Sequence, residues 1–278
     1  MKSFLAVLFL AVPVFAQGTV QDPETKFQKV DAGLSSLTKR VYLLKVDDPD
    51  WKKLGQESTT DYADGELEAV HDTLPIDDIH HYRRKLNADG KGKERSEYDS
   101  SDQMITRWTY ERAADGSFKV TEVGKTSKTV WSYNSDGKLE NAELSDDGGV
   151  YSRIVDTYKD GRLIVSEDRS VKDSKETLFR KTEYTYWENG KLKSADSSHS
   201  DGTMGVMRQY NDKGDLTLIQ LCNIRGEVTT SADYTPEYQD NGHGEEKVAE
   251  SWELSQGEGE DKMVKMRGRV EYERVYKK

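Results

Sequence analysis

Near the end of the chain Val264, Met266, Val270, Tyr272 and Tyr276 alternate with Lys265, Arg267, Arg269, Glu271 and Glu273, and further back Met204, Val206 and Tyr210 oppose Thr203 and Gln209. Successive side chains of an extended chain point to opposite faces, so a period of two predicts strands with one apolar and one charged face. A slower regularity separates these runs. In "YTYWENGKLKSADSSHSDGTMGVMRQYNDKGDLTLIQLCNIRGEV" (Tyr184 to Val228) a Gly followed two residues later by an apolar side chain returns every twelve positions: Gly190 and Leu192, Gly202 and Met204, Gly214 and Leu216, Gly226 and Val228. Gly137, Gly149 and Gly161 precede Leu139, Tyr151 and Leu163 in the same way, and looser copies lie at "YADGEL" (Tyr62 to Leu67), "NADGK" (Asn87 to Lys91), "AADGSF" (Ala114 to Phe118) and "QDNGH" (Gln239 to His243). Asn-Gly and Asp-Gly between alternating runs signal hairpins whose two central residues both take positive φ. Twelve residues leave about eight for a strand once the turn is subtracted. Because twelve is even, each repeat returns its apolar set to the same face.

Tyr186 and Tyr210 precede their glycines by four residues and stand 24 apart, with Ser198 and Cys222 in the equivalent places between them. The repeat is therefore a hairpin of about 24 residues whose two strands differ. The segments "YNSDGKL" (Tyr133 to Leu139), "YKDGRL" (Tyr158 to Leu163), "YWENGKL" (Tyr186 to Leu192) and "YNDKGDL" (Tyr210 to Leu216) share a Tyr, a polar stretch, a Gly and an apolar residue. In these units the chain resembles the YD-repeat family, also called RHS-like repeats, best over residues 105–245. It departs from that pattern where Asp215 replaces the basic residue after Gly and where Asn134 and Asn211 follow Tyr. The resemblance implies a long antiparallel meander curling into a spiral or shell. Some relatives enclose a toxin in such a shell, but they are far longer chains with a separate cargo domain, so that role is not carried over. The expected fold is all-β: a long antiparallel meander of about 24-residue hairpin repeats, twisted or curled into an open sheet or spiral shell. Whether the sheet closes on itself is not set by the pattern.

The start of the chain changes the picture of where it works. Lys2, an apolar run from Phe4 to Phe15 and the small residue Ala16 read as a cleavable secretory signal, residues 1–16, whose core is too short to span a bilayer. No Cys follows the run, so a lipid-anchoring cysteine is not in place. The expected location is periplasmic or secreted. Residues 17–40 read as an N-terminal leader with a short helix, and 41–278 as a single repetitive sheet domain in which "VYLLKV" begins the first strand. A lone cysteine, Cys222, excludes an internal disulfide and reads as a buried structural thiol in the apolar stretch "LTLIQLCNI". The net charge of -11, or -12 once Lys2 leaves with the signal, disfavours nucleic acid and anionic lipid as partners.

Residue patterns that carry chemistry are few. Ser132 to Glu143 places Asn134, Asp136, Gly137 and Glu143 at positions of a calcium loop, but Ser132 stands where the first Asp belongs, and an acidic hairpin accounts for the set. His80 and His81 are adjacent on a strand and point to opposite faces, which prevents them from clamping one metal ion; they read as a solvent-exposed pair. Hydrolase and nucleotide-binding signatures are missing, and no catalytic residue, cofactor or metal is expected. Of the aromatic residues Trp131, Tyr133, Tyr184, Tyr186 and Trp187, the first four read as core packing. Trp187 falls on the opposite parity at a turn and is the candidate binding residue. The expected function is non-enzymatic binding, by a soluble monomer without membrane insertion, of another protein or an envelope polymer through an exposed sheet face or edge. The alternative is a polysaccharide-active enzyme with its site in a groove. An outer-membrane barrel fits the short turns but not the charged faces. Lys265, Arg267, Arg269 and Arg274 in the terminal strand read as protection of a free edge.

Overall fold

The computed structural model describes residues 23, 27, 30, 33–44, 46, 52–63, 66–74, 78–86, 92–240, 245–257 and 263–277. The expected signal, residues 1–16, and most of the expected leader lie outside them. Eighteen strands follow one another: β1 (Leu34–Leu44), β2 (Lys52–Ala63), β3 (Glu66–Leu74), β4 (Asp78–Leu86), β5 (Gly92–Tyr98), β6 (Met104–Arg112), β7 (Phe118–Val123), β8 (Lys128–Tyr133) and β9 (Leu139–Asp146) form the first half. The second half is β10 (Gly149–Lys159), β11 (Arg162–Lys172), β12 (Lys175–Tyr186), β13 (Leu192–His199), β14 (Met204–Tyr210), β15 (Leu216–Cys222), β16 (Val228–Asp240), β17 (Glu245–Gln256) and β18 (Met263–Tyr276). Each pairs antiparallel with the next, which is the expected all-β meander in one sheet. The meander curls until β18 pairs with β1, Val270 opposite Val41, while the other side of β1 pairs with β2. Neither terminal strand is an edge. This corrects the reading of the terminal arginines as edge protection: Arg267, Arg269 and Arg274 lie in a strand paired on both sides. β1 also starts at Leu34, earlier than Val41, because pairing with β18 extends a segment whose own pattern is weak. β4 and β5, drawn from a stretch dense in charge, are both internal to the ladder.

Turn geometry explains the twelve-residue beat. In Asn134–Lys138 the fourth residue's N–H donates to the first residue's carbonyl (Gly137 N to Asn134 O, 3.0 Å), and the first residue's N–H donates to the fifth residue's carbonyl (Asn134 N to Lys138 O, 3.0 Å). The same pair of bonds recurs at Asp99, Ala113, Trp187, His199, Asn211 and Asn223. Only the fourth residue takes positive φ (Gly137 +77°, Gly190 +85°, Gly214 +91°), so these are longer reversals than the two-residue hairpins expected. True two-residue reversals with both residues at positive φ occur at Asp160–Gly161 and Asp173–Ser174. Tyr133 then faces Leu139, Tyr186 faces Leu192 and Tyr210 faces Leu216. That is why an apolar residue stands two places after each Gly. A bulge follows each of these pairs. Bulges add local twist and bend, which lets a long meander curl.

The two faces differ as the parity implies. On the core face Tyr110, Val120, Trp131, Ala142 and Ile154 lie directly opposite one another across β6 to β10, and Val120, Trp131 and Ala142 are fully buried. A second apolar row, Ile219, Ala232, Leu254 and Met266, crosses β15 to β18. Polar residues separate the rows: Ser166, Thr182 and Ser197 follow each other across β11 to β13, with Thr182 Oγ1 and Ser197 Oγ 2.9 Å apart. Phe27, whose N–H donates to Pro23 O in a helical turn (3.0 Å), packs in the same cluster as the first row and meets Trp108 and Tyr82 edge-on. The outer face carries ion pairs, among them Arg40 with Glu57 and Glu273, and Arg153 with Glu143 and Glu176.

Candidate functional site

The end of the sheet where β2 leads into β3 is called upper here, and the end where β1 leads into β2 lower. Upper turns hold one another across repeats. Lys138 lies against Gly161 and over the Tyr158 ring (5.9 Å), and Arg162 lies against Gly190 and over the Tyr186 ring (5.5 Å). The Tyr186 hydroxyl donates to Leu163 O (2.7 Å) and Asn189 Nδ2 to Asp212 O (2.7 Å). Trp187, the candidate from sequence, is half-buried in this array. Its indole N–H donates to Tyr210 O at 3.1 Å and Lys193 Nζ sits 4.8 Å from its ring centre, so one face and the polar atom are already engaged.

Asp215, the departure from the basic pattern, has a different job. Its carboxylate accepts from the Tyr238 hydroxyl (2.5 Å) and pairs with Lys247 Nζ (2.9 Å), which also reaches Glu250 (3.2 Å). Burial alone raises the Asp215 pKa, but the bonds from Tyr238 and Lys247 and the nearby Lys213 charge outweigh it and hold it below the usual value. Burial likewise opposes the charge on Lys247, yet the surrounding acids and Tyr272 push its pKa up. The basic contact missing from residue 215 comes from Lys213, 3.8 Å over the Tyr238 ring.

On the core face beside this cluster stand Tyr62, Tyr184, Tyr210 and Tyr234, whose hydroxyls have no hydrogen-bond partner among the described residues. Burial pushes the Tyr184 and Tyr234 hydroxyls up to about 12. Lys39, opposite Tyr272, also makes no hydrogen bond or ion pair among the described residues. Its side chain is exposed, yet desolvation by burial pulls its pKa down, with Glu250 opposing and Lys247 assisting. The arrangement is an aromatic wall with unengaged hydroxyls and one unengaged ammonium.

Other expected residues fall elsewhere. Trp131 and Tyr133 are core, and Tyr184 and Tyr186 are half-buried on the core face. His80 is not one of a solvent-exposed pair: it is half-buried, and its Nδ1 lies 2.6 Å from Glu97 Oε1 because the strand's parity turns it inward. The side chain of His81 lies outside the described residues. Cys222 is half-buried. Asn134 Oδ1 accepts from the N–H groups of Asp136 and Lys138, so the oxygen considered for calcium shapes the turn. Lys39 and the Asp215–Lys247 pair were not singled out by sequence; the only signal was an acid at a place where the repeats carry Lys or Arg.

No protein-family model and no curated protein matches the chain. Among solved structures it is similar to a porin-like protein from Bacteroides uniformis, at 10% identity and TM-score 0.45 over 88% of this chain and 99% of that one. It is also similar to TcdB2-TccC3 in two structures at 11% and 12% identity with TM-scores of 0.26 and 0.28. In both, the likeness covers 84% of this chain and spans 16% of the TcdB2-TccC3 chain.

Proposed function

We propose that this is an exported, monomeric, non-enzymatic protein of the YD-repeat kind that binds an envelope polysaccharide on the tyrosine-bearing core face of its upper half. The observation carrying this reading is the set of four tyrosine hydroxyls without partners beside the unpaired Lys39. Aromatic rings with a polar tip offer a sugar both an apolar face and a hydrogen bond, and a site with few placed polar groups gives orientation. Lys39 suits a carboxylate or phosphate substituent on the polymer. The nearby acids favour binding over turnover: Asp215 and Glu250 are both tied to Lys247. Ion pairs along the outer face stand where a lipid-facing wall needs an apolar band, which supports a soluble protein.

Calorimetric titration with soluble peptidoglycan fragments and with neutral and acidic polysaccharides tests the reading. Binding without shortened product is expected. Tyr210→Phe with Tyr234→Phe, which removes two hydroxyls and keeps the rings, weakens it by roughly tenfold or more, since each hydrogen bond contributes about 1 kcal/mol. Absence of binding, or binding indifferent to that double change, defeats the proposal. Shortened chains whose formation stops when a single acid is replaced support the enzyme reading instead.

A further inference from the structure

Among the cations of the Asp215 cluster, Lys39 alone has no acid partner among the described residues. On β1 it shares the core face with Leu37 and Val41, and these three stand opposite Arg274, Tyr272 and Val270 of β18. On its other side Lys39 faces Ser58 of β2, a neutral residue, with Asp72 one strand further on. Each acid of the adjoining cluster is held by another cation. Asp215 pairs with Lys247 at 2.9 Å, Glu250 with the same ammonium at 3.2 Å, and Glu246 with Arg274 at 3.6 Å. Lys247 and Arg274 also lie over the Tyr272 ring, 5.3 and 5.9 Å from its centre, so two cations flank the tyrosine that Lys39 faces.

This setting favours the neutral amine. Protein atoms crowd Lys39 and strip away water, Lys247 adds a like charge, and Glu250, which opposes both, is already tied to Lys247. The ammonium therefore gives up its proton more readily than an ordinary lysine, while its side chain stays open to solvent. A desolvated lysine beside a second cation is the arrangement that makes an amine a nucleophile. We propose that Lys39 is a covalent capture site for aldehydes. Its Nζ, after releasing a proton to solvent, attacks the carbonyl carbon. The nitrogen passes one proton to the carbonyl oxygen, giving a carbinolamine, and its remaining proton leaves with that oxygen as water, so that a C=N bond joins Nζ to the former aldehyde carbon. No oxidant or reductant enters. The anion contact assigned to Lys39 uses the protonated form and the condensation uses the neutral one, so neither role depends on the other.

The full mature chain is treated at pH 7 with a limiting amount of propanal and with cyanoborohydride, which reduces the imine to a stable secondary amine, and the alkylated lysines are located by peptide mass spectrometry. Lys39 is alkylated about threefold or more over the exposed Lys125, Lys172 and Lys175. The excess shrinks towards pH 10, where ordinary lysines lose their protons as well. Lys247→Gln removes the like charge and frees Glu250 to pair with Lys39, so it lowers the alkylation of Lys39 at pH 7, with circular dichroism checking that the sheet is intact. The pH profile is read on the parent chain and stands whether or not that variant folds. Alkylation of Lys39 no greater than that of the comparison lysines, an excess unchanged up to pH 10, or indifference to Lys247→Gln in a folded variant overturns the proposal. No polysaccharide is present in this assay, so a negative result leaves the binding reading where it stands, and a failure of polysaccharide binding leaves the alkylation pattern untouched.

Discussion

The indole of Trp252 lies across Gly268 on the neighbouring strand, so close that a Cβ on residue 268 would sit 2.2 Å from Cζ2. Gly268 is mid-strand and faces Leu43 on its other side, within the second apolar cluster. The glycine is there to admit a large ring into a crowded row, since core interiors are packed as densely as organic crystals. Gly268→Ala therefore forces the ring or the strand to move and lowers stability by about 1–3 kcal/mol. Trp252→Leu added to it recovers part of that loss. Urea unfolding of the two single variants and the double variant measures the coupling.

Turn glycines behave differently, because their constraint is the backbone. Nothing lies within 4 Å of a Cβ built on Gly202, yet its φ is +85°. Gly202→Ala costs about 1 kcal/mol through the left-handed backbone alone. Asp102 holds the equivalent place in its own turn with φ +62°, so Asp102→Gly raises stability or leaves it unchanged. A lowered melting temperature for Gly202→Ala with no loss for Asp102→Gly is the expected result.

Acid unfolding reports the Asp215–Lys247 pair. The Asp215 pKa is depressed in the folded chain, so its stabilisation is fully present above the ordinary carboxylate value near 3.8 and is lost as pH falls through the folded value. Asp215→Asn thus costs about 2 kcal/mol at pH 7, from the loss of hydrogen bonds to a charged group. The difference from the parent shrinks as pH drops below about 4. A difference that is constant from pH 7 to pH 2 contradicts the assignment.

At alkaline pH the sign reverses. Tyr184 and Tyr234 keep their protons to about 12 in the folded chain, against 10.0 when exposed. The unfolded chain therefore ionises first, and stability falls as pH rises past about 10. Ultraviolet titration of tyrosinate in the parent and in Tyr184→Phe with Tyr234→Phe should show the two late-ionising groups disappear.

Phe27 anchors the N-terminal segment. It is 5% exposed, and the Arg95 guanidinium lies 4.3 Å from its ring centre while pairing with Glu66 at 2.8 Å. Phe27→Ala costs about 3–5 kcal/mol if the segment stays in place, and less if it lets go. Limited proteolysis distinguishes the two, with release giving early cleavage before Leu34.

Much of this was readable in the chain, and the misreadings share a cause. The parity of Val264 to Tyr276 and the spacing of Gly190, Gly202, Gly214 and Gly226 describe contacts within one or two strands, and there the reading holds. Turn type was misjudged because Asp-Gly fits two kinds of reversal, and the backbone of Asp136 and Asp201 takes the kind in which Gly alone is left-handed. Arg267 and Arg269 carry the pattern of edge guards yet lie in a paired strand, because the partner strand, β1, is more than 200 residues away in the chain. The tyrosine wall was half visible: parity put Tyr184 and Tyr210 on the core face, but nothing local marks which hydroxyls remain unengaged.

By itself, the sequence determined that this chain is a meander, where its glycine-marked turns fall and which side chains share a face, because alternation and left-handed glycines act over a few bonds. Tertiary structure alone decided that β18 meets β1, that Lys213 of one repeat covers Tyr238 of the next and that Lys39 makes no ion pair among the described residues. Those outcomes depend on twist accumulated from bulge to bulge across eighteen strands. No short stretch of sequence carries that sum.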